Sequence, residues 1–280
     1  MKGIIDEVRL YNYARSASQI AYDYNRGEPV AHYKFDECQG VTAYNAVKSA
    51  NNQSSGMNGT ITIGSTGTNN ATGSCTGNST DAWENGETGK LNSSLDFDGT
   101  DDYVDMGDQA NLDVADSQDF TLEAWINREA FTTDDTIIAK KNDQTTALGY
   151  ILYIDDANDD VNFVVADATP DQFSVNGRTA ITATGWYHIV AVYDDDSAAG
   201  STIYVNGLPD KESNTGTIGS VNSLANAVTF RIGSESDGAN FFDGDIDNVK
   251  FYNYALTATQ VRNAYNESSA IRFGPSTGSP

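Results

Sequence analysis

The sequence predicts an all-β chain, a sandwich of two antiparallel sheets with one short helix near its C-terminal end. Three observations lead there. Apolar residues rich in Val, Ile, Tyr and Phe recur in short runs, many of them alternating with polar residues, which is the period of a strand with one buried face. Asp, Gly, Asn, Ser and Thr separate the runs, and these residues favour turns. A helical pattern is confined to two related stretches.

In chain order the strands are read at VAHYKFDE (30–37), GTITIG (59–64), SLDFDG (94–99), FTLEAWIN (120–127), TIIAKK (136–141), GYILYID (149–155), VNFVVAD (161–167), WYHIVAVYDD (186–195), STIYVNG (201–207), VTFRIGS (228–234) and DIDNVKFYN (245–253). Eleven short strands with turn residues between them fit a sandwich. Residues 49–94 are poor in apolar residues and read as long loops around GTITIG. The helix is LTATQVRNAYNE (256–267), with Thr257 placed to cap it. Its twin is RSASQIAYDYN (15–25). Residues 268–280, rich in Gly, Pro and Ser, read as a linker.

The twins belong to a longer duplication. From Gly3 to Asn25 against Gly244 to Asn266, 12 of 23 positions are identical, including Tyr-Asn-Tyr-Ala and the paired Asp6 and Asp247. If the phrase closes a domain, residues 1–27 are the closing strand and helix of a preceding repeat and 28–267 form one complete successor in a tandem array. The alternative is that residues 1–27 add an edge strand to this domain, or exchange between molecules.

The chain carries 40 acidic and 16 basic residues, a formal charge of -24. That balance excludes a polyanion such as nucleic acid as the expected partner. Thirty of the acids are Asp and ten Glu, a skew that suits turns and hard-cation sites, or a solvated surface adapted to salt. No apolar run spans a bilayer, so membrane insertion is not expected. Cys38 and Cys75 are read as one disulfide or as a free buried pair. Met1-Lys2-Gly3 leads into acidic sequence where a signal peptide would stand, yet the composition reads as extracellular or cell-surface. A piece of a longer exported protein reconciles the two.

SLDFDGTDDYVDMG, FTLEAWIN, GWYHIVAVYDD, STIYVNG and GDIDNVKFYNYALTATQV, in that order, resemble the laminin G-like, concanavalin A-like jelly-roll domains of bacterial surface and secreted proteins. The resemblance spans about residues 30–267. It implies two antiparallel sheets face to face, one concave face, rim loops that bind sugars or proteins, and a structural calcium ion. The long stretch from Cys38 to Leu91 and its cysteines depart from that family pattern.

Alternation places Asp96 and Asp98 opposite Leu95 and Phe97, and sets Asp245 and Asp247 either side of Ile246. These acids are expected on the outer face or at strand ends. DFDGTDDY offers carboxylates and a turn, the donors calcium takes, and the resemblance suggests that Asp247 lies nearby. Asp98, Asp101, Asp102 and Asp247 are therefore the candidate calcium ligands; the competing reading is an acidic turn capped by its own backbone. DDANDD lacks the Gly and terminal Glu of an EF-hand loop and reads, like the other Asp clusters, as a hairpin tip.

Trp125 and Trp186 read as core residues. Trp83, in STDAWENGE, is either an exposed indole that stacks on a sugar or a cover for the core. Tyr103, Tyr150 and Tyr153 are further candidates for sugar contact. Catalysis finds little support: there is no Glu-x-Asp-x-x-Glu run of paired carboxylates, and His32 and His188 lie in predicted strands without metal or triad spacing. The expected function is a non-catalytic, calcium-binding module of a multi-domain secreted or surface protein, binding glycan or a cell-surface protein beside neighbouring repeats. A spacer or protein-adhesion repeat is the alternative, and a glycoside hydrolase a third.

Overall fold

The computed structural model describes residues 3, 8–48, 56–131, 133–169 and 171–269. Its strands are β1 (Ala31–Tyr33), β2 (Thr42–Ala43), β3 (Gly59–Thr62), β4 (Leu95–Asp98), β5 (Tyr103–Asp105), β6 (Phe120–Arg128), β7 (Asp135–Lys140), β8 (Gly149–Ile154), β9 (Asp160–Ala166), β10 (Gln172–Ala180), β11 (Tyr187–Tyr193), β12 (Thr202–Val205), β13 (Leu208–Pro209), β14 (Lys211–Gly216), β15 (Arg231–Ile232) and β16 (Asp243–Tyr252). Helix α1 spans Ala17–Asn25, α2 Ala82–Asn85 and α3 Ala258–Ser269.

The strands form two antiparallel sheets. One runs β1-β16-β6-β11-β12-β13, with β4 also paired to β16; the other, of nine strands, runs β14-β10-β9-β8-β7-β15-β5-β3-β2. Each sheet turns one row of apolar side chains inward, and the two rows interleave as one core. At its centre Phe120 stacks on Phe251 at 5.8 Å and lies 5.0 Å from Tyr150 and 5.7 Å from Phe163, drawing on both sheets. The eleven expected strands all occur, some shorter than read. β2, β5, β10, β13 and β14 were not read from the sequence. β14 is KESNTG, an exposed edge whose polar side chains carry no alternation to read.

The apolar period is broken inside β7, where the neighbours Ile137 and Ile138 both join the core across a register shift, and again inside β16. Ile246 and Val249 both face the core although three residues apart, because a register shift lies between Asp247 and Lys250 in the pairing with β6 and Asn248 adopts φ 51°. Asn tolerates that left-handed conformation better than most residues. Beyond β16 the chain enters α3, where Gln260 N–H donates to Thr257 Oγ1 (3.3 Å) and Thr257 N–H donates to Gln260 Oε1 (2.7 Å). This reciprocal cap is the one expected at Thr257.

The outer face of the seven-stranded sheet is covered as well. Trp125 points there and is 1% exposed, its ring lying between Lys90 Nζ (4.3 Å) and Tyr265 of α3 (5.7 Å). It is thus buried, as expected, but outside the intersheet core. Trp186 is half-buried, outside any strand and absent from the core. It directly precedes β11, whose residues from His188 onward are buried, without sharing their burial. Beside Trp125 a charged network is sealed in: Glu123 Oε1 takes Lys250 Nζ at 2.7 Å and lies 3.2 Å from His188 Nε2, while Tyr252 Oη donates to Glu123 Oε2 at 3.0 Å. Lys250 and His188 hold the Glu123 carboxyl ionised, well below the usual range, against the burial that would raise it.

Cys38 and Cys75 are joined, their Cα atoms 5.0 Å apart, and Cys75 N–H donates to Cys38 O at 3.1 Å. Reduction frees a loop with a sequence separation of 37 and is expected to lower the unfolding free energy by about 3–4 kcal/mol. Urea unfolding with and without reductant measures it, as a fall in the midpoint without loss of the native spectrum.

Candidate functional site

The turn DFDGTDDY joins β4 to β5 at one end of the sandwich, and the loop of residues 64–69 folds against it. Ser65 and Thr66 N–H donate to Asp101 Oδ2 at 3.1 and 3.2 Å, with the Thr66 hydroxyl at 2.6 Å. Gly64 N–H donates to Asp102 Oδ1 at 3.1 Å and Asn69 N–H to Asp98 Oδ2 at 2.9 Å. Asn69 Nδ2 bridges Asp96 Oδ2 and Asp102 Oδ2, each at 2.9 Å. The approach is close enough to require glycine: a Cβ on Gly64 would fall 1.8 Å from the Asp101 carboxylate, and one on Gly67, at φ 83°, 2.1 Å from that of Asp98.

Asp98, Asp101 and Asp102 each place an oxygen within 4.8 Å of the others. Asp101 Oδ1 is buried and has no hydrogen-bond partner among the described residues. Asp247 does not join them. Asp243, not Asp247, stands opposite Asp98 in the β16–β4 register, and four residues of strand put Asp247 about 13 Å further along. There it is fully buried, accepting from Leu91 N–H (2.8 Å) and Asn248 Nδ2 (2.6 Å). Its equivalent Asp6 lies outside the described residues.

The competing expectation of a turn capped by its own backbone holds in part: Thr100 N–H donates to Asp98 Oδ1 (3.0 Å) and Asp98 N–H to Asp102 Oδ2 (3.3 Å). The other donors come from a loop more than 25 residues away in sequence. In a second group of carboxylates Asp155 and Asp156 sit at the β8–β9 hairpin tip as expected, whereas Asp134 lies in the connection from β6 to β7, which crosses between the sheets and is no hairpin; Asp156 N–H donates to Asp134 Oδ1 at 2.8 Å.

Asp96, Asp245 and Asp247 are buried instead of lining an open outer face. The stretch 69–94 lies over them: Ser94 Oγ donates to Asp245 Oδ1 (3.0 Å), as Leu91 does to Asp247. Burial raises the carboxyl of Asp96 to about 7, Asp245 to about 6 and Asp247 to about 7, because removal from water disfavours the charged form.

The four aromatic candidates separate by burial. Trp83 is 0% exposed, and its Nε1–H donates to Gly40 O at 2.9 Å from within α2; it is the core cover, not a sugar platform. Tyr150 is also 0% exposed, its hydroxyl donating to Leu112 O at 2.7 Å. Tyr153 lies on the outer face of the nine-stranded sheet but is 8% exposed, packed with Ala139, Ile151 and Val164. The sequence pattern around Tyr150 and Tyr153 gives alternation but not which alternate residue the opposing layer reaches. Tyr103 alone borders open space, a depression of about 420 Å³ lined also by Asn58, Thr60, Thr62, Asp105 and Gly107. Arg231 stands 4.1 Å over its ring and 3.4 Å from Asp105 Oδ2. Tyr103 pairs with Thr62 of β3 and follows Asp102 directly, so the depression and the carboxylate cluster share two strands. Asp105, Arg231 and the threonines had no motif to mark them; the β3–β5 pairing assembles them.

Residues 98–262 match the family described as the concanavalin A-like lectin/glucanases superfamily, of laminin G type. Solved structures resemble this chain at low identity, the first two of the following sharing its fold. The botulinum neurotoxin serotype D ligand binding domain, in complex with N-acetylneuraminic acid, aligns at TM-score 0.55 and 10% identity over 88% of this chain and 52% of that one. The botulinum neurotoxin serotype G binding domain aligns at 0.51 and 13%, over 87% and 52%. A putative carbohydrate binding protein from Bacteroides ovatus aligns at 0.43 and 21%, over 60% and 45%. This chain therefore spans about half the length of these structures. A comparison with curated proteins gives no match.

The raised carboxyls fix how stability depends on pH. A folded-state value above the unfolded one, near 4, gives stability that is complete below pH 4 and is lost as pH rises through the folded value. Asp245 and Asp247 each contribute a slope of up to about 1.4 kcal/mol per pH unit between about 4 and their folded values. Thermal melts in chelator are expected to show a higher Tm at pH 5.5 than at pH 8, and Asp247→Asn is expected to shallow the decline.

Proposed function

This chain belongs to the concanavalin A-like lectin/glucanases superfamily, and from that membership we propose that it is a non-catalytic carbohydrate-binding module of a secreted or surface protein. The glycan lies in the Tyr103 depression and calcium binds at Asp98, Asp101 and Asp102. The observation that carries the reading is the depression itself. It sets one accessible tyrosine edge beside a carboxylate, an amide and threonine hydroxyls, the donors and acceptors a sugar ring needs around an aromatic contact. Its volume falls within the usual range for small-ligand sites.

The calcium reading is supported by the donor set. Three carboxylates supply hard oxygens within 4.8 Å of one another, Asp101 Oδ1 has no hydrogen-bond partner among the described residues, and calcium prefers six to eight such ligands. An ion there would neutralise charge that burial otherwise penalises at Asp102, whose carboxyl is raised to about 6. It would also tie the loop of residues 64–69 to the start of β5, and so fix Tyr103. Asp247 holds no part in it.

A structure of this fold contains N-acetylneuraminic acid. In this chain Asp105 in the depression and the formal charge of -24 favour a neutral glycan over an anionic one. A hydrolase is disfavoured by Glu123, the buried acid of the seven-stranded sheet's outer face, which is 0% exposed and committed to Lys250, His188 and Tyr252. The Cys38–Cys75 bond supports an oxidising, extracellular setting.

Two measurements test the proposal. A glycan array probed with calcium should give binding to neutral sugars that Tyr103→Ala abolishes while Tm is unchanged; silence with and without calcium overturns the glycan reading. Titration with calcium should raise Tm, and Asp101→Asn should remove the rise. A Tm indifferent to calcium and chelator overturns the metal reading alone.

A further inference from the structure

The two copies of the closing phrase share a capped helix and are used differently: the second opens on β16, whereas residues 8–14 of the first form no strand. In the second copy Val249, Phe251, Tyr254 and Val261 are at most 1% exposed, and the Tyr265 ring stacks on Trp125. Their equivalents 241 positions earlier are Val8, Leu10, Tyr13, Ile20 and Tyr24. These are 80%, 99%, 54%, 58% and 86% exposed. An apolar set of this size facing water marks an interaction surface. The helix starts are the same device: Ser16 and Gln19 cap α1 reciprocally, as Thr257 and Gln260 cap α3.

α1 does touch this sandwich, but with its other face. Ser18 bonds Asp119 and accepts from Ala255 N–H (3.2 Å), Tyr22 meets Tyr254 edge-on at 5.6 Å, and Asn25 Nδ2 donates to Asn253 Oδ1 at 2.6 Å. Positions 18, 22 and 25 form one stripe of a helix. The equivalent positions in α3, Thr259, Asn263 and Asn266, are the exposed ones. So α1 rests on this domain by the side that α3 gives to solvent, and turns outward the side with which α3 closes a sandwich.

We infer that residues 3–25 are the closing strand and helix of a second sandwich of this fold, whose sheet they complete, with α1 held back to back against this domain as the joint between the two. Residues 4–7 lie outside the described residues; the inference stands on 8–25. The acceptor is a domain whose sheet has no other closing strand. A second copy of this chain does not qualify, because its slot already holds β16 and α3, and an exchange would bury one phrase while exposing the other. The first phrase also fits that slot less well: it has Glu7 where Asn248 takes φ 51°, and Leu10 where Phe251 stacks on Phe120.

The test is transplantation within the full chain. Residues 244–266 are replaced by the sequence of 3–25, and a second chimera retains Asn248 and Phe251. The expected result is cooperative unfolding in at least the second chimera, with a lowered Tm; if neither folds, the phrase is not a closing unit and the inference fails. In the parent chain Leu10→Asp with Tyr24→Ser is expected to leave Tm unchanged, and a clear drop would mean that this domain already uses that face. Sedimentation of the parent should give a monomer; a dimer dissolved by the same double substitution would make a second copy the acceptor and overturn the inference.

Discussion

Strand β16 is the constraint on which the rest of the molecule depends. It is hydrogen-bonded to β1, β4 and β6, so it closes the seven-stranded sheet and leads into the helix that roofs it. Its inward side supplies Ile246, Val249 and Phe251 to the core. Its outward side supplies Asp245, Asp247 and Lys250. A strict two-residue period would send Ile246 and Val249 to opposite faces. The irregularity at Asn248 resolves the conflict, and it also sets Lys250 against Glu123. Without it either the core loses an apolar residue or the buried carboxylate loses its cation.

The outer layer is equally structural. Buried ionic groups are tolerated only when each finds partners, and the described residues show this repeatedly. Arg128 is 0% exposed and pairs with Asp135 and with Asp159 at 2.5 Å. Lys140 donates to Asp108 Oδ1 at 2.9 Å and to the carbonyls of Asn226 and Val228 at 3.0 and 2.9 Å. The acids of β4 and β16 differ. Asp96, Asp245 and Asp247 have amide, hydroxyl and backbone donors but form no ion pair among the described residues, and so burial raises their proton affinity. In a chain with 40 acids and 16 bases most carboxylates must do without a basic partner, and these three are among them.

The fold was legible because strand alternation and turn residues are local properties. FTLEAWIN states by itself that Leu122 and Ala124 face one way and Glu123 and Trp125 the other. What lies against each face is not local. Nothing near Glu123 in sequence indicates that Lys250, His188 and Tyr252 enclose it, and nothing near Trp83 says that Gly40 O accepts its hydrogen bond. The same limit explains the candidate site. Asp98, Asp101 and Asp102 were found together because four residues of one turn bring them together. The family resemblance puts Asp247 with them, whereas the β16–β4 register places Asp243 there instead. The duplicated phrase was legible as a repeat, whereas the reversed docking of α1 was visible only in three dimensions.

The long stretch between Cys38 and Leu91 has a physical function in the site. Its residues are poor in apolar side chains and could not fold over a sheet by hydrophobic burial alone. Three anchors replace that force. The disulfide fixes Cys75 beside Cys38, Trp83 inserts into the core and bonds Gly40, and the loop of residues 64–69 docks its N–H groups on Asp98, Asp101 and Asp102. The third anchor is electrostatic: donors gather around acids that repel one another, so its strength depends on how that repulsion is relieved. Protons relieve it at low pH, and a divalent cation would do so at neutral pH. Because β3 leads directly into this loop and β5 directly out of the acidic turn, whatever relieves the repulsion also sets the position of Thr62 and Tyr103 across the depression.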